Sequence, residues 1–273
     1  VVVPFAIGLV LAASDAGVLL ARPVTISADK LEVFKKESRA KYDGHAKAIR
    51  DTLTLTCDTL DVFLTPAGDV QRITAHGNVV AIDGDREAHG EQAEFANDTG
   101  VLVVTGKPWG KQGAREVDGE IVTFTTGDNR LEVTKARTRV KEPKDQRLTI
   151  DADLLTFEGE KNEARWKGHV KAVKGKMTLF APEVLAISQP NGDISRVKAR
   201  GGVEVTEGDR WARGQFGDYE VEPGRLTVTG NPQARDGKTR MKGTKVTFLT
   251  GSEFLEVENA TTLIEVDKKK KVP

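Results

Sequence analysis

The chain has 273 residues, in which 41 Lys and Arg are balanced by 41 Asp and Glu. A formal net charge of zero removes the electrostatic case for a nucleic-acid partner, which needs surplus cations to neutralise phosphates. Frequent glycine (27), scarce aromatics (5%) and 30% charged residues argue against a helical bundle and for short, half-solvated strands joined by tight turns.

The first element is apolar. "VVVPFAIGLVLAASDAGVLLARP" opens with an apolar run from Val1 to Ala13, followed by small residues and Asp15. It reads as the h-region of a secretory signal, with Ala13–Ala16 or Ala21 as cleavage points. Two alternatives stay open for residues 1–22. One is a membrane anchor, although Asp15 and Gly17 interrupt a run that needs about 20 apolar residues to span. The other is a buried N-terminal strand or helix. The single cysteine, Cys57, rules out an intramolecular disulfide. Alone it would suggest a reducing compartment, but the N-terminal run favours export.

After residue 22 no amphipathic helical stretch occurs. Apolar residues alternate over short runs: Ala40, Tyr42, Ala46 and Ala48; Leu53 and Leu55; Ile73, Ala75 and Val79; Leu102 and Val104. Period two with glycine punctuation predicts half-buried β-strands. A small-x-x-apolar-x-apolar pattern recurs at Ala28, Cys57, Gly90 and Gly119, spaced 29, 33 and 29 residues apart. At Ala28 and again at Cys57 the apolar parity switches, with Leu31 and Leu60 each three residues on. Such a switch needs a bulge or corner, and Cys57 reads as a small corner residue. Strands bending at a regular interval stack into folded-over layers, as in a jelly roll or a β-solenoid.

The chain then repeats itself without a gap at an offset of 124. "PAGDVQRITAHGNV" (Pro66 to Val79) falls on "PNGDISRVKARGGV", and "GVLVVTGKP" (Gly100 to Pro108) on "GRLTVTGNP". Gly44, Gly68, Gly77, Gly84, Gly90, Gly100, Gly106, Gly113, Gly119 and Gly127 each meet a glycine, so the two copies share backbone requirements. The expected domains are residues 23–140 and 147–266, joined by the charged "VKEPKDQR" segment and followed by a solvated basic tail, 267–273.

"VTISADKLEV", "GHAKAI", "ITAHGNVVAI", "AHGEQAEF" and "LVVTGKP" together resemble the LptA/OstA-like family of periplasmic lipopolysaccharide-transport proteins, twice over. The resemblance implies two tandem open, V-shaped antiparallel β-jelly rolls forming a continuous slot for the acyl chains of lipid A. It implies a carrier that conveys lipopolysaccharide from the inner to the outer membrane. It also implies inner- and outer-membrane transport components as partners, reached by end-to-end strand pairing, and head-to-tail self-association. The last strand of copy one ("RLEVTKARTRV") is expected to meet the first of copy two ("RLTIDADLLTF"), carrying both sheets through the junction.

The slot-wall candidates in copy one are Leu31, Val33, Leu53, Leu55, Leu60, Val62, Ile73, Val79, Phe95, Leu102, Val104, Val122 and Phe124. In copy two they are Leu155, Phe157, Met177, Leu179, Val197, Val203, Tyr219, Leu226, Val228, Val246, Phe248, Leu255 and Val257. The competing reading is a structural or adhesive β-module with a dry core, because groove-lining and core-lining strands look alike in sequence. Catalysis has no foothold. His45, His76, His89 and His169 form no spaced metal-ligand cluster. The "DGDRE" of Asp83 to Glu87 reads as a hairpin turn rather than a calcium loop. No phosphate loop, nucleophile elbow or dinucleotide fingerprint occurs. No cofactor, metal or catalytic residue is expected.

Overall fold

The computed structural model describes residues 24–264, apart from 51, 85, 126, 142–146, 190–192 and the side chain of Arg50. The expected leader (1–22) and basic tail (267–273) lie outside the described residues. The rest is nearly all strand. Copy one contains β1 (Thr25–Ser27), β2 (Lys30–Phe34), β3 (Arg39–Arg50), β4 (Leu53–Leu64), β5 (Val70–Asp83) and β6 (Arg86–Ala96). It continues with β7 (Val101–Thr105), β8 (Trp109–Gln112), β9 (Arg115–Asp118), β10 (Ile121–Thr125), β11 (Arg130–Thr134) and β12 (Arg137–Lys141).

Copy two repeats the series. It begins with β13 (Arg147–Asp151), β14 (Leu154–Glu158), β15 (Glu163–Lys174), β16 (Met177–Ser188), β17 (Ile194–Glu207) and β18 (Arg210–Glu220). It ends with β19 (Arg225–Thr229), β20 (Gln233–Asp236), β21 (Thr239–Lys242), β22 (Lys245–Leu249), β23 (Leu255–Glu258) and β24 (Thr261–Ile264). The four long strands of each copy recur at the sequence offset, β15 beginning 163 − 39 = 124 residues after β3.

Every pairing among the described residues is antiparallel, and the long strands bend part-way. Between β3 and β4 the register shifts at Asp43/Ala46; between β4 and β5 at Thr56/Thr59; between β5 and β6 at His76/Val79. Copy two shifts at the equivalent Lys167/Val170, Phe180/Glu183 and Arg200/Val203. These stacked bulges are the corners that the parity switches predict, and Cys57 sits buried beside one of them. Gly44 shows the local cause: its φ is +79°, and a Cβ there would collide with Asp29. The Asp29 amide donates to the Gly44 carbonyl (2.8 Å), and Asp153 repeats this with Gly168 (2.9 Å). The residue after each glycine, His45 or His169, is also left-handed. Each His Nδ1 lies against the same aspartate, at 2.8 Å from Asp29 and 2.6 Å from Asp153.

The bends divide the sheet into two walls of a V. One wall runs β2–β3–β4–β5–β6–β7–β10–β11 and continues into β14–β15. The other runs β1–β3–β4–β5–β6–β8–β9–β12 and continues into β13–β15. The junction is therefore sheet, as expected. Val133 faces Leu155 and Leu131 faces Phe157 in one wall, and Thr138 faces Ile150 in the other. Outside, Arg137–Asp151 (2.6 Å) bridges β12 and β13, and Lys135–Asp153 (3.0 Å) joins the corners between the walls.

Candidate functional site

The interior of the V is not uniform. In copy one the walls stand apart around an apolar cavity of about 170 Å³. Ile73, Ala75, Ala93, Phe95, Leu102 and Val104 line it from one wall; Ala48, Leu53, Leu55, Ala81 and Ala88 line it from the other, and Val79 sits beside the bend. Asp83 and Arg86 stand at its open end, while Glu87 and His89, also beside it, alternate with the inward Ala88 and turn to the outer face of the wall. His89 stacks on Trp109 at 3.9 Å, and Glu87 contacts both His89 and Lys111 at 2.5 Å. The hydrogen bonds from Lys111 and then His89 hold the Glu87 carboxyl below its ordinary range. Alternation puts these small and aliphatic side chains inward, since successive residues of a strand face opposite ways.

Seven predicted wall residues meet at this cavity: Leu53, Leu55, Ile73, Val79, Phe95, Leu102 and Val104. Leu60 and Val62 pack in the core beside it. Val122 and Phe124 belong instead to a second core that spans the junction. Leu31 and Val33 differ again. They lie on β2, which pairs only with β3 among the described residues, and Leu31 is 54% exposed. Their copy-two equivalents, Leu155 and Phe157, are covered by β11, and Leu155 is 1% exposed.

Copy two is packed where copy one is hollow. Leu155, Phe157, Val203, Leu226, Val228, Val246 and Phe248 are buried in the second core, and Met177, Leu179, Val197, Tyr219, Leu255 and Val257 pack against it. Trp166 takes the place of Tyr42, Val170 that of Ala46, and Val205 that of Ala81. The indole N–H of Trp166, on β15 in one wall, donates to Thr138 Oγ1, on β12 in the other, at 3.1 Å. At the free ends of the walls, Arg210 Nη2 donates to the Ser252 carbonyl (2.9 Å), tying the mouth of copy two. Arg115, at the same depth on β9, is buried; burial pushes its guanidinium down to about 10, with Asp193 acting the other way.

The small residues Ala48, Ala75, Ala81, Ala88 and Ala93, and the cross-wall pair Trp166–Thr138, are absent from the sequence-derived wall set. The alternating run through Ala40, Tyr42, Ala46 and Ala48 was the available signal, because copy two's Trp166 occupies the Tyr42 position. Among the described residues no three His, Cys, Asp or Glu side chains are grouped to hold a metal. No described helix is long and apolar enough to cross a membrane.

Comparison with known proteins bears on this geometry. The family model for the LptA/(LptD N-terminal domain) LPS transport protein matches residues 25–130 and again 149–254. The chain belongs to that family. The two matches carry the same fold unit twice, and membership places the chain among lipopolysaccharide-transport proteins. An uncharacterized protein of Rhizobium meliloti (strain 1021), R00383, is 30% identical over 94 residues, covering 32% of this chain and 50% of that protein. The chain thus matches about half the length of this curated relative. Among solved structures, LptH of Pseudomonas aeruginosa is described as the LptA-homologous periplasmic component of the lipopolysaccharide transport device. It aligns at 17% identity with a TM-score of 0.39, over 42% of this chain and 84% of that one.

Proposed function

We propose that this member of the family is a periplasmic carrier that takes the acyl chains of lipopolysaccharide into the cavity of copy one and conveys them between the membranes. The carrying observation is the cavity itself, which is apolar inside and polar at its rim. Acyl chains leave water with a gain of ~0.8 kcal/mol per CH₂, so a chain of about a dozen carbons contributes on the order of 10 kcal/mol. A trough open along one side hides the chains and leaves the sugar and phosphate portion in water.

The internal junction supplies a template for the partners. Unpaired strand edges invite another strand. At one end β2 presents Leu31 and Val33; at the other, the same wall ends in β23 with Leu255 and Val257, and the second wall ends in β24 with the exposed Leu263 and Ile264. Applying the β11–β14 register at the offset of 124 sets Leu255 opposite Val33 and Val257 opposite Leu31. The chain would then serve as a length of bridge between inner- and outer-membrane components, or pair with its own copies. Units spanning 23–140 and 147–266 are the lengths this reading assigns.

The dry-module alternative is the one that copy two alone would favour, since its interior is packed. A photo-crosslinking residue at Leu55, inside the cavity, separates the readings when compared with one at Lys47, exposed on β3. Irradiation with lipopolysaccharide should give adduct at 55 and not at 47. Adduct at neither position, or equally at both, would contradict the carrier reading.

A further inference from the structure

The inner face can be followed strand by strand across the junction. One rung reads Tyr42, Leu60, Ala75, Ala93, Val104, Val122, Val133, Leu155, Trp166 and Val184. Small residues mark the cavity, and aliphatic side chains close towards the junction. Then, one strand into copy two, comes the largest fully buried side chain of the described chain, Trp166. Its indole is 1% exposed and reaches across to the fully buried Thr138 on the opposite wall. A buried indole N–H needs a partner, and here the partner lies on the far side of the lumen. An acyl chain running on from copy one along this rung would pass the buried Val122, Val133 and Leu155 and then meet these two groups. In copy one the rung carries Tyr42, which is only partly buried; the residue equivalent to Thr138 is Ser14, outside the described residues.

We propose that Trp166 is a partition in the lumen, which confines lipid chains to copy one until the bar to Thr138 is withdrawn. This rests on the carrier reading above and assigns the two copies different parts in it. Copy one is the receiving chamber. Copy two, whose walls pack together behind Trp166, fills only when that indole swings out and those walls part. Trp166 and Thr138 govern how far the lipid travels, not whether it binds.

The test uses the full chain with purified lipopolysaccharide and a photo-crosslinking residue at Leu55 or at its equivalent, Leu179. In the otherwise native chain, adduct at 55 should exceed adduct at 179 by about tenfold, the ratio set by one well-made barrier contact. Trp166→Tyr, which installs the copy-one residue, and Trp166→Ala should raise adduct at 179 about fivefold, with adduct at 55 within about twofold of its starting level. Thr138→Val keeps the shape and removes the hydroxyl, so it reads the bar even where a Trp166 variant folds poorly. It should raise adduct at 179 about twofold. Equal adduct at 55 and 179 in the native chain would remove the partition and leave the carrier reading standing. An unresponsive 179 in Thr138→Val and in the folded Trp166 variants would also overturn it. Adduct at neither site would overturn the carrier reading and the partition with it.

Discussion

The two copies have the same strands, the same bulges and the same corner aspartates, yet one holds a cavity between its walls and the other is packed there. Their backbones are set by residues they share: Asp29 and Gly44 in one, Asp153 and Gly168 in the other. Their interiors are set by residues they do not share, above all Tyr42 against Trp166 and Ala81 against Val205. Neighbours matter as much as identity. Leu31 and Leu155 hold equivalent places, but β11 covers only the second. A fold repeat therefore fixes where side chains point, while volume and the adjoining strand decide whether the space between walls is open.

The widest expected difference between the copies is in stability. Leu155→Ala removes a buried side chain and should cost about 3 kcal/mol, whereas Leu31→Ala should stay within about 0.5 kcal/mol. Urea denaturation of the two variants reads both values, and equal costs would erase the distinction between covered and open edges.

Next comes Ala81→Val, which gives the chamber the copy-two residue. Two added methyl groups take up space that an acyl chain would occupy, at ~0.8 kcal/mol per displaced CH₂. Lipopolysaccharide binding should weaken about fifteenfold with the melting temperature unchanged or raised, as titration and calorimetry would report.

Cys57→Ala, again the copy-two residue (Ala181), should cost under about 1 kcal/mol. In the native chain, burial pushes the Cys57 thiol up to about 11. Its thiolate is therefore scarce at pH 8, and a thiol reagent should modify it slowly until denaturant is added. Rapid labelling of the folded protein would show that the corner opens.

The smallest effect is at the exposed corner histidine. The Asp29 carboxylate, by hydrogen bond and charge, raises His45 above the ordinary histidine value. A raised folded pKa contributes stability that is present in full below the unfolded value near 6.5 and is lost as pH rises through the folded value. The stability gap between the native chain and His45→Gln should therefore narrow with rising pH, and NMR titration should place the His45 midpoint above that of an unfolded peptide.

Much of this was legible in the sequence, because backbone requirements leave periodic marks. Paired glycines gave the offset, the parity switches at Ala28 and Cys57 gave the bends, and the β11–β14 meeting followed from where copy one ends and copy two begins. The interior was less legible. Alternation identifies Leu53, Leu55 and Phe95 as inward, but it identifies Val228 and Val246 equally well, and these are core. Whether facing walls touch depends on summed volumes across the V, where alanines at 75, 81, 88 and 93 count by their smallness. A hydrophobic pattern does not register that. Leu31 and Val33 read as walls for the same reason: the pattern gives a direction, not a neighbour.

The measurement that bears most directly on the central claim is a structure of the full chain in complex with lipopolysaccharide. The account predicts acyl chains lying between Leu55 and Phe95 in copy one, with the sugar and phosphate portion outside the rim formed by Asp83 and Arg86. Lipid seated on the outer faces, with the copy-one chamber collapsed or empty, would contradict it.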